Sequence, residues 1–338
     1  MIGLVIILAV IAVGVILVMQ RRRNRRPLDD GAPAAPIQHD ARSLNVGERS
    51  DPPVRRAAAS GTSGGTAQES VEMNKQLAPG RYGIVGLLRS EWTKLRTVRS
   101  TVWTLGITIA LGIGVSALAT AETSAHWSTM SPSSRLTFDP TGTSLIGIFI
   151  GQFALGILGA LAVSAEYGTG TIRATFSAAP RRSGVLIAKI IVFGIVALIV
   201  AEVVAFVAFF VGQALLTAPA THATLGSPGA LREVVGSGLY VGVLGLFSLG
   251  LATIIRHTAG AISAFVGILL VLPLIVAALP NSISIDVRRF LPDRIGATMI
   301  SLHNGSNVFS PWIGFLVLCG YALAALVVGG ILLVRRDA

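Results

Sequence analysis

Very few residues of this 338-residue chain have the type and spacing that chemistry needs. A nucleotide-binding P-loop requires G-x-x-x-x-G-K-[ST], with the Lys reaching the β and γ phosphates. The three lysines, Lys75, Lys94 and Lys189, follow Asn, Thr and Ala, so none can belong to that motif. The five histidines, His39, His126, His222, His257 and His303, include no i, i+4 pair with a glutamate as a zinc enzyme would need. The single cysteine, Cys319, leaves no disulfide framework or thiolate metal site within one chain. The expectation is a chain that is not an enzyme and binds no metal or cofactor of its own. If ATP drives it, ATP and Mg sit on a partner.

Two groups of polar residues remain. Glu202 is the one acid deep inside an apolar run, AEVVAFVAFF, where a charge costs about 2.5–3.5 kcal/mol on insertion scales. It reads as a proton carrier or path-lining group, or equally as a neutral acid hydrogen-bonded to a neighbouring helix. The second group is the segment EYGTGTIRATFSAAPRRSGVLIAK, which carries Glu166, Tyr167, Gly168, Gly170, Arg173, Pro180, Arg181 and Arg182. Gly168 and Gly170 permit a sharp backbone turn. A short helix-compatible run follows, and Pro180 stops it. The segment is either an ordinary basic loop or a surface helix that docks a cytoplasmic partner and transmits force to the membrane.

The elements that must position these residues are apolar. The composition is 52% hydrophobic and only 13% charged, with a mean hydropathy of +0.73. Soluble domains carry about 25% charged residues, so a soluble surface cannot be covered here. Several apolar runs approach the roughly 20 residues that span a hydrocarbon core. The fold class expected is all-α, a polytopic transmembrane bundle of six core spans plus one N-terminal span. The core spans fall at 101–120, 143–165, 185–213, 232–254, 259–279 and 311–334.

Residues 1–19 are continuously apolar and are followed by Arg21, Arg22, Arg23, Arg25 and Arg26, the order of an anchor rather than a cleavable signal. Residues 20–80, rich in Pro, Ala, Gly, Ser and charge, read as a disordered basic cytoplasmic linker, and residues 81–338 as the six-span bundle. Residues 82–98, YGIVGLLRSEWTKLRTV, place Ile84, Leu88, Trp92 and Leu95 on one helical face. Arg89, Glu91, Lys94 and Arg96 fall largely elsewhere. Such a helix lies along a membrane interface.

The net charge of +11 has a membrane explanation. With 166–184, 255–258 and the C-terminus inside, and 121–142, 214–231 and 280–310 outside, seventeen Lys and Arg fall on the inner side, counting Arg21 to Arg26 but not residues 27–80, and five on the outer. That asymmetry obeys the positive-inside rule, and no nucleic-acid partner is needed. The outer group at 288–294 is the one sizeable violation, and it is expected to form a short amphipathic helix on the outer surface.

Three stretches resemble the type-2 ABC exporter permeases, in the form common in high-GC Gram-positive bacteria. LLRSEWTKLRTVRSTVWTL (87–105) looks like the family's interfacial helix entering the first span. EYGTGTIRATFSAAPRR (166–182), with Lys189 beyond it, is similar to its coupling segment, and GLATIIRHTAGAIS (250–263) to a tight cytoplasmic turn. The resemblance covers about residues 80–338. It implies a plasma-membrane exporter of a small molecule, drug or lipid, built from a permease homodimer or pair in contact with membrane lipid. A nucleotide-binding ATPase subunit would dock at 166–182, with the 82–98 helix flanking it. Residues 1–80 depart from the pattern, either as a real anchor or as an over-extension whose true start is Met73. Two other readings stay open: a proton-coupled secondary transporter using Glu202, and a non-transporting scaffold whose linker recruits partners.

Overall fold

The computed structural model describes residues 83–171, 182–302 and 307–336. The expected anchor and linker lie outside them, as do Arg173, Pro180 and Arg181 and the run expected to form the docking helix. Arg182 is described by its backbone alone.

Helix α1, Ile84–Thr97, ends where Val98 turns extended, and α2, Arg99–Ala125, begins one residue later. Short helices α3, Pro132–Leu136, and α4, Pro140–Ser144, follow, capped by the side chains of Ser131 and Asp139. They satisfy the free N–H groups of a helix start with a hydroxyl and a carboxylate. The long helices α5, Ile148–Gly168, α6, Arg182–Leu215, and α7, Ala230–Ile255, come next. Then come α8, Thr258–Ala277, the short α9, Asn281–Arg288, and α10, Pro292–Ile300, and finally α11, Pro311–Arg336. Six helices, α2, α5, α6, α7, α8 and α11, are long and apolar enough to cross a membrane. Their positions match the six expected core spans to within a few residues.

Helix α7 is the centre of the bundle: 83% of its most apolar window is buried, against 17% for α2. It packs on α5, α6 and α11. Water is not the driving force between helices in lipid, so close backbone approach and buried hydrogen bonds must hold them. Both are present. Gly159 of α5 lies on the backbone carbonyl of Gly245. Ser248 Oγ donates to the Gly156 carbonyl at 2.6 Å, and Tyr240 Oη donates to Gln152 Oε1 at 2.8 Å. Helix α8 contains a π-helical stretch, Gly267–Val271, just before Pro273. Proline has no N–H for the regular ladder, and the wider turn absorbs the mismatch.

The outer-surface helix expected around 288–294 is not what forms. The stretch divides into α9 and α10, and α10 tucks inward against α7 and α11. Leu291, Ile295 and Met299 recur at helical spacing and are all buried. Gly296 seats the Tyr240 ring where any side chain would collide with it. The arginines nearby are accommodated locally: Arg289 stacks on Phe290 and Phe309 at 5.2 and 5.7 Å.

Candidate functional site

One end of the bundle gathers most of the polar residues singled out above. The apolar stripe of α1 is divided: Ile84 and Trp92 are about half exposed, while Leu88 and Leu95 are partly buried. Turned into the protein are Glu91 and Lys94. Sequence reasoning set the charges of this helix away from its apolar face, toward water. Glu91 is instead the one fully buried residue of α1. The reason is a partner 98 positions away: Lys189, near the start of α6, donates to Glu91 Oε2 at 2.6 Å.

Lys189 also donates to Glu166 Oε1, at 2.9 Å, near the end of α5. Lys94 completes the arrangement, donating to Glu91 Oε1 at 2.7 Å and to Glu166 Oε1 at 3.0 Å. Two carboxylates and two ammoniums thus form a closed square joining three helices. The Glu91 and Lys189 side chains are 5% and 8% exposed, Glu166 13%, and Lys94 39%. Burial alone would lower the Lys94 ammonium, but the hydrogen bonds and charges of Glu91 and Glu166 outweigh it and hold it above the ordinary lysine value. A buried ion cluster of this kind adds little net stability over an apolar replacement, but losing one member strands the others. The square is therefore a device of position rather than of bulk stability.

Tyr167, Gly168 and Gly170 follow Glu166 along the chain at the end of α5. Tyr167 receives the Arg256 guanidinium over its ring at 5.2 Å. Arg256 is the C-cap of α7 in the left-handed region, φ 58°, and its Nη2 donates to the Leu332 carbonyl of α11 at 3.0 Å. His257 caps α8, its Nδ1 accepting from Gly260 N at 3.2 Å. The tight turn at 250–263 is thus half engaged: His257 is exposed, while Arg256 ties α5, α7 and α11 together. Gly170 does turn the chain, with φ 72°, whereas Gly168 is an ordinary last residue of α5. Arg89 and Arg96 are exposed and stand outside the square.

Glu202 is not part of this group. It lies 13 residues beyond Lys189 on α6, roughly 20 Å along the helix. Its carboxyl packs against Gly238 of α7, and its Oε2 has no hydrogen-bond partner among the described residues. No group of three or more potential metal ligands occurs among the described residues.

Sequence reasoning missed the pairing of Lys189 and the reach of Arg256. For Lys189 a signal existed: a lone lysine inside VLIAKIIVF must find a carboxylate or leave the membrane. For Arg256 there was none, because its contacts lie 76 and 89 positions away along the chain in opposite directions.

The family described as "ABC-2 family transporter protein" matches residues 87–276, more than half of the chain. The match takes in α1 from Leu87, both glutamates and both lysines of the square, Glu202 and Arg256. No curated protein matches the sequence.

Proposed function

Because this chain belongs to the ABC-2 family of transporter proteins and is a multi-pass membrane permease, we propose that it is the membrane-spanning subunit of an exporter. Permeases of this family generally work with an ATPase subunit. Here that ATPase would be a separate nucleotide-binding chain holding ATP and Mg. It would dock on the segment between α5 and α6, on the cytoplasmic side, where the C-terminus also lies. The working unit is two permeases, as a homodimer or a pair, in the plasma membrane. The cargo is a small molecule, a drug-like compound or a lipid.

The observation that carries this reading is the charged square. The proposed docking segment leaves α5 just after Glu166 and enters α6 just before Lys189. Those two residues bond each other, and through Lys94 and Glu91 they also bond α1. Moving any one of the three helices alone would unpair a buried charge, at a cost of about 3–5 kcal/mol. A displacement of the segment therefore moves α1, α5 and α6 as one body, which is what coupling to an external ATPase needs.

The test is co-purification from the native membrane in mild detergent, with mass spectrometry of the accompanying chains. The expected result is a stoichiometric P-loop protein that is released by Arg173→Glu with Arg181→Glu. If no ATPase accompanies the protein under several gentle conditions, the exporter reading falls. One observation favours a second reading: Glu202 holds a carboxylate oxygen without a described partner in mid-span. Proton-coupled transport predicts that Glu202→Gln abolishes uptake or efflux driven by a pH gradient alone.

A further inference from the structure

A cavity of about 400 Å³ opens beside the charged square. It lies between α1, the first turn of α2, the second half of α5 and the first half of α6. Its volume is at the lower end of the about 300–1,000 Å³ typical of ligand pockets, enough for part of one extended chain rather than a bulky ring system. Most of its wall is apolar, with Leu158 and Leu161 of α5 facing Val192 and Phe193 of α6. Its polar end is the square itself. Glu166 lies near the end of one apolar span and Lys189 near the start of the next, so the polar end lies at the rim of the bundle, where an interfacial α1 puts it at the depth of lipid headgroups.

The hydrogen-bond inventory of the square tells what headgroup fits. An ammonium has three donors. Lys94 and Lys189 each use two within the square, so each has one left. Glu166 Oε1 takes both lysines, while Glu166 Oε2 is buried and accepts from nothing among the described residues. The square is electrically neutral, two positive against two negative. A headgroup with only a negative charge would leave that charge unbalanced in a half-buried site, and a purely cationic one would do the same. What the unused groups ask for is one anionic oxygen cluster for two lysine donors and one positively charged N–H donor for Glu166.

We propose that this cavity binds an amino-phospholipid of the phosphatidylethanolamine type. Its phosphate lies at the free donors of Lys94 and Lys189, its ammonium at the Glu166 carboxylate, whose buried Oε2 turns toward the cavity to receive it, and one acyl chain against the Leu158–Phe193 wall. The choice of amine is sharp. Phosphatidylcholine has the same charges, but its quaternary nitrogen has no N–H to donate. Phosphatidylglycerol has hydroxyls but no positive charge. The site is a lipid-binding site whatever the exporter's cargo and whichever ATPase drives it.

The experiment uses the full-length protein, stripped of lipid in detergent and offered equal amounts of dioleoyl phosphatidylethanolamine, phosphatidylcholine and phosphatidylglycerol. Native mass spectrometry reads retention, and thermal melting reads stabilisation. One phosphatidylethanolamine per chain should be retained about tenfold over the other two, the factor expected of one charge-assisted hydrogen bond. Ala162→Phe, which fills the cavity from its α5 wall and leaves all four charged residues in place, should abolish that retention while leaving a folded protein. Glu166→Gln should bring phosphatidylethanolamine down to the level of phosphatidylcholine; if that variant does not fold, Ala162→Phe decides alone. Equal retention of all three lipids, or retention untouched by Ala162→Phe, overturns the proposal. So does soluble phosphoethanolamine stabilising the protein as much as the lipid, since the acyl wall would then contribute nothing.

Discussion

Replacing Lys189 by methionine keeps the stem and removes the ammonium, and so tests the square at its most buried cation. The substitution strips Glu91 Oε2 of its 2.6 Å bond and Glu166 Oε1 of its 2.9 Å bond. Lys94 then serves two carboxylates alone from a side chain already 39% exposed. Removing one partner from a buried ion pair costs about 3–5 kcal/mol. For a bundle of this size each kcal/mol moves the melting temperature by about 2–4 °C, so Lys189→Met should melt roughly 6–20 °C below wild type. The assay is thermal unfolding of the detergent-purified protein, read by tryptophan fluorescence at fixed detergent and lipid. Glu91→Gln and the double variant close a cycle. Because the single variants each strand a charge and the double strands fewer, the double should lose clearly less than the sum of the two. A Lys189→Met protein that melts within a degree of wild type, or a strictly additive cycle, would refute the claim that these charges act as one unit.

Lys94 is held above its ordinary value of 10.5 in the folded protein, so its contribution is complete below that pH and is lost only as pH rises through the higher folded value. The melting difference between wild type and Lys94→Met should thus stay constant from about pH 6 to 9 and shrink only in strong alkali. Two glycines of α5 should behave oppositely on conversion to alanine. Gly159→Ala would drive a methyl into the Gly245 carbonyl and should destabilise by at least the about 1–3 kcal/mol of ordinary overpacking, measured by denaturant or heat. Gly168→Ala meets nothing within 4 Å and should be neutral or gain up to about 1 kcal/mol by stiffening the unfolded chain. Tyr240→Phe removes the 2.8 Å donor to Gln152 Oε1 at a fully buried site and should cost about 1–3 kcal/mol, with Gln152→Leu in the same background recovering part of it.

Spans were legible because membrane burial acts on length and apolarity, which are local: the expected 232–254 became Ala230–Ile255, and 101–120 became Arg99–Ala125. That 82–98 folds as a helix was legible for a similar reason, the spacing of its apolar residues. What the spacing could not reveal is which of its charges turns inward, since that depends on Lys189, 98 positions away. Helix α10 defeated the expectation for a related cause. Its Arg-rich neighbourhood suggested a wet surface, but Leu291, Ile295 and Met299 find a ready-made slot beside Tyr240 and Tyr321, whose hydroxyl donates to the Phe290 carbonyl at 3.1 Å. Glu202 was legible as an unusual acid but not as one facing Gly238, because nothing local fixes how α6 is rotated against α7.

Helix α6 has one more consequence, and it is mechanical. Its 34 residues make a rod of about 50 Å, well beyond the about 30 Å hydrocarbon core. No proline interrupts it between 182 and 215, whereas α8 carries both a π-helical stretch and Pro273. At one end Lys189 is anchored in the charged square. At the other, roughly 36 Å away, Gln213 donates to the Pro140 carbonyl and accepts from Ala223 N, gripping the caps on both neighbouring loops. The two ends are therefore joined by a shaft with no joint in it. The helix between Lys189 and the far loops is continuous, whereas α8 is interrupted by its π-helical stretch.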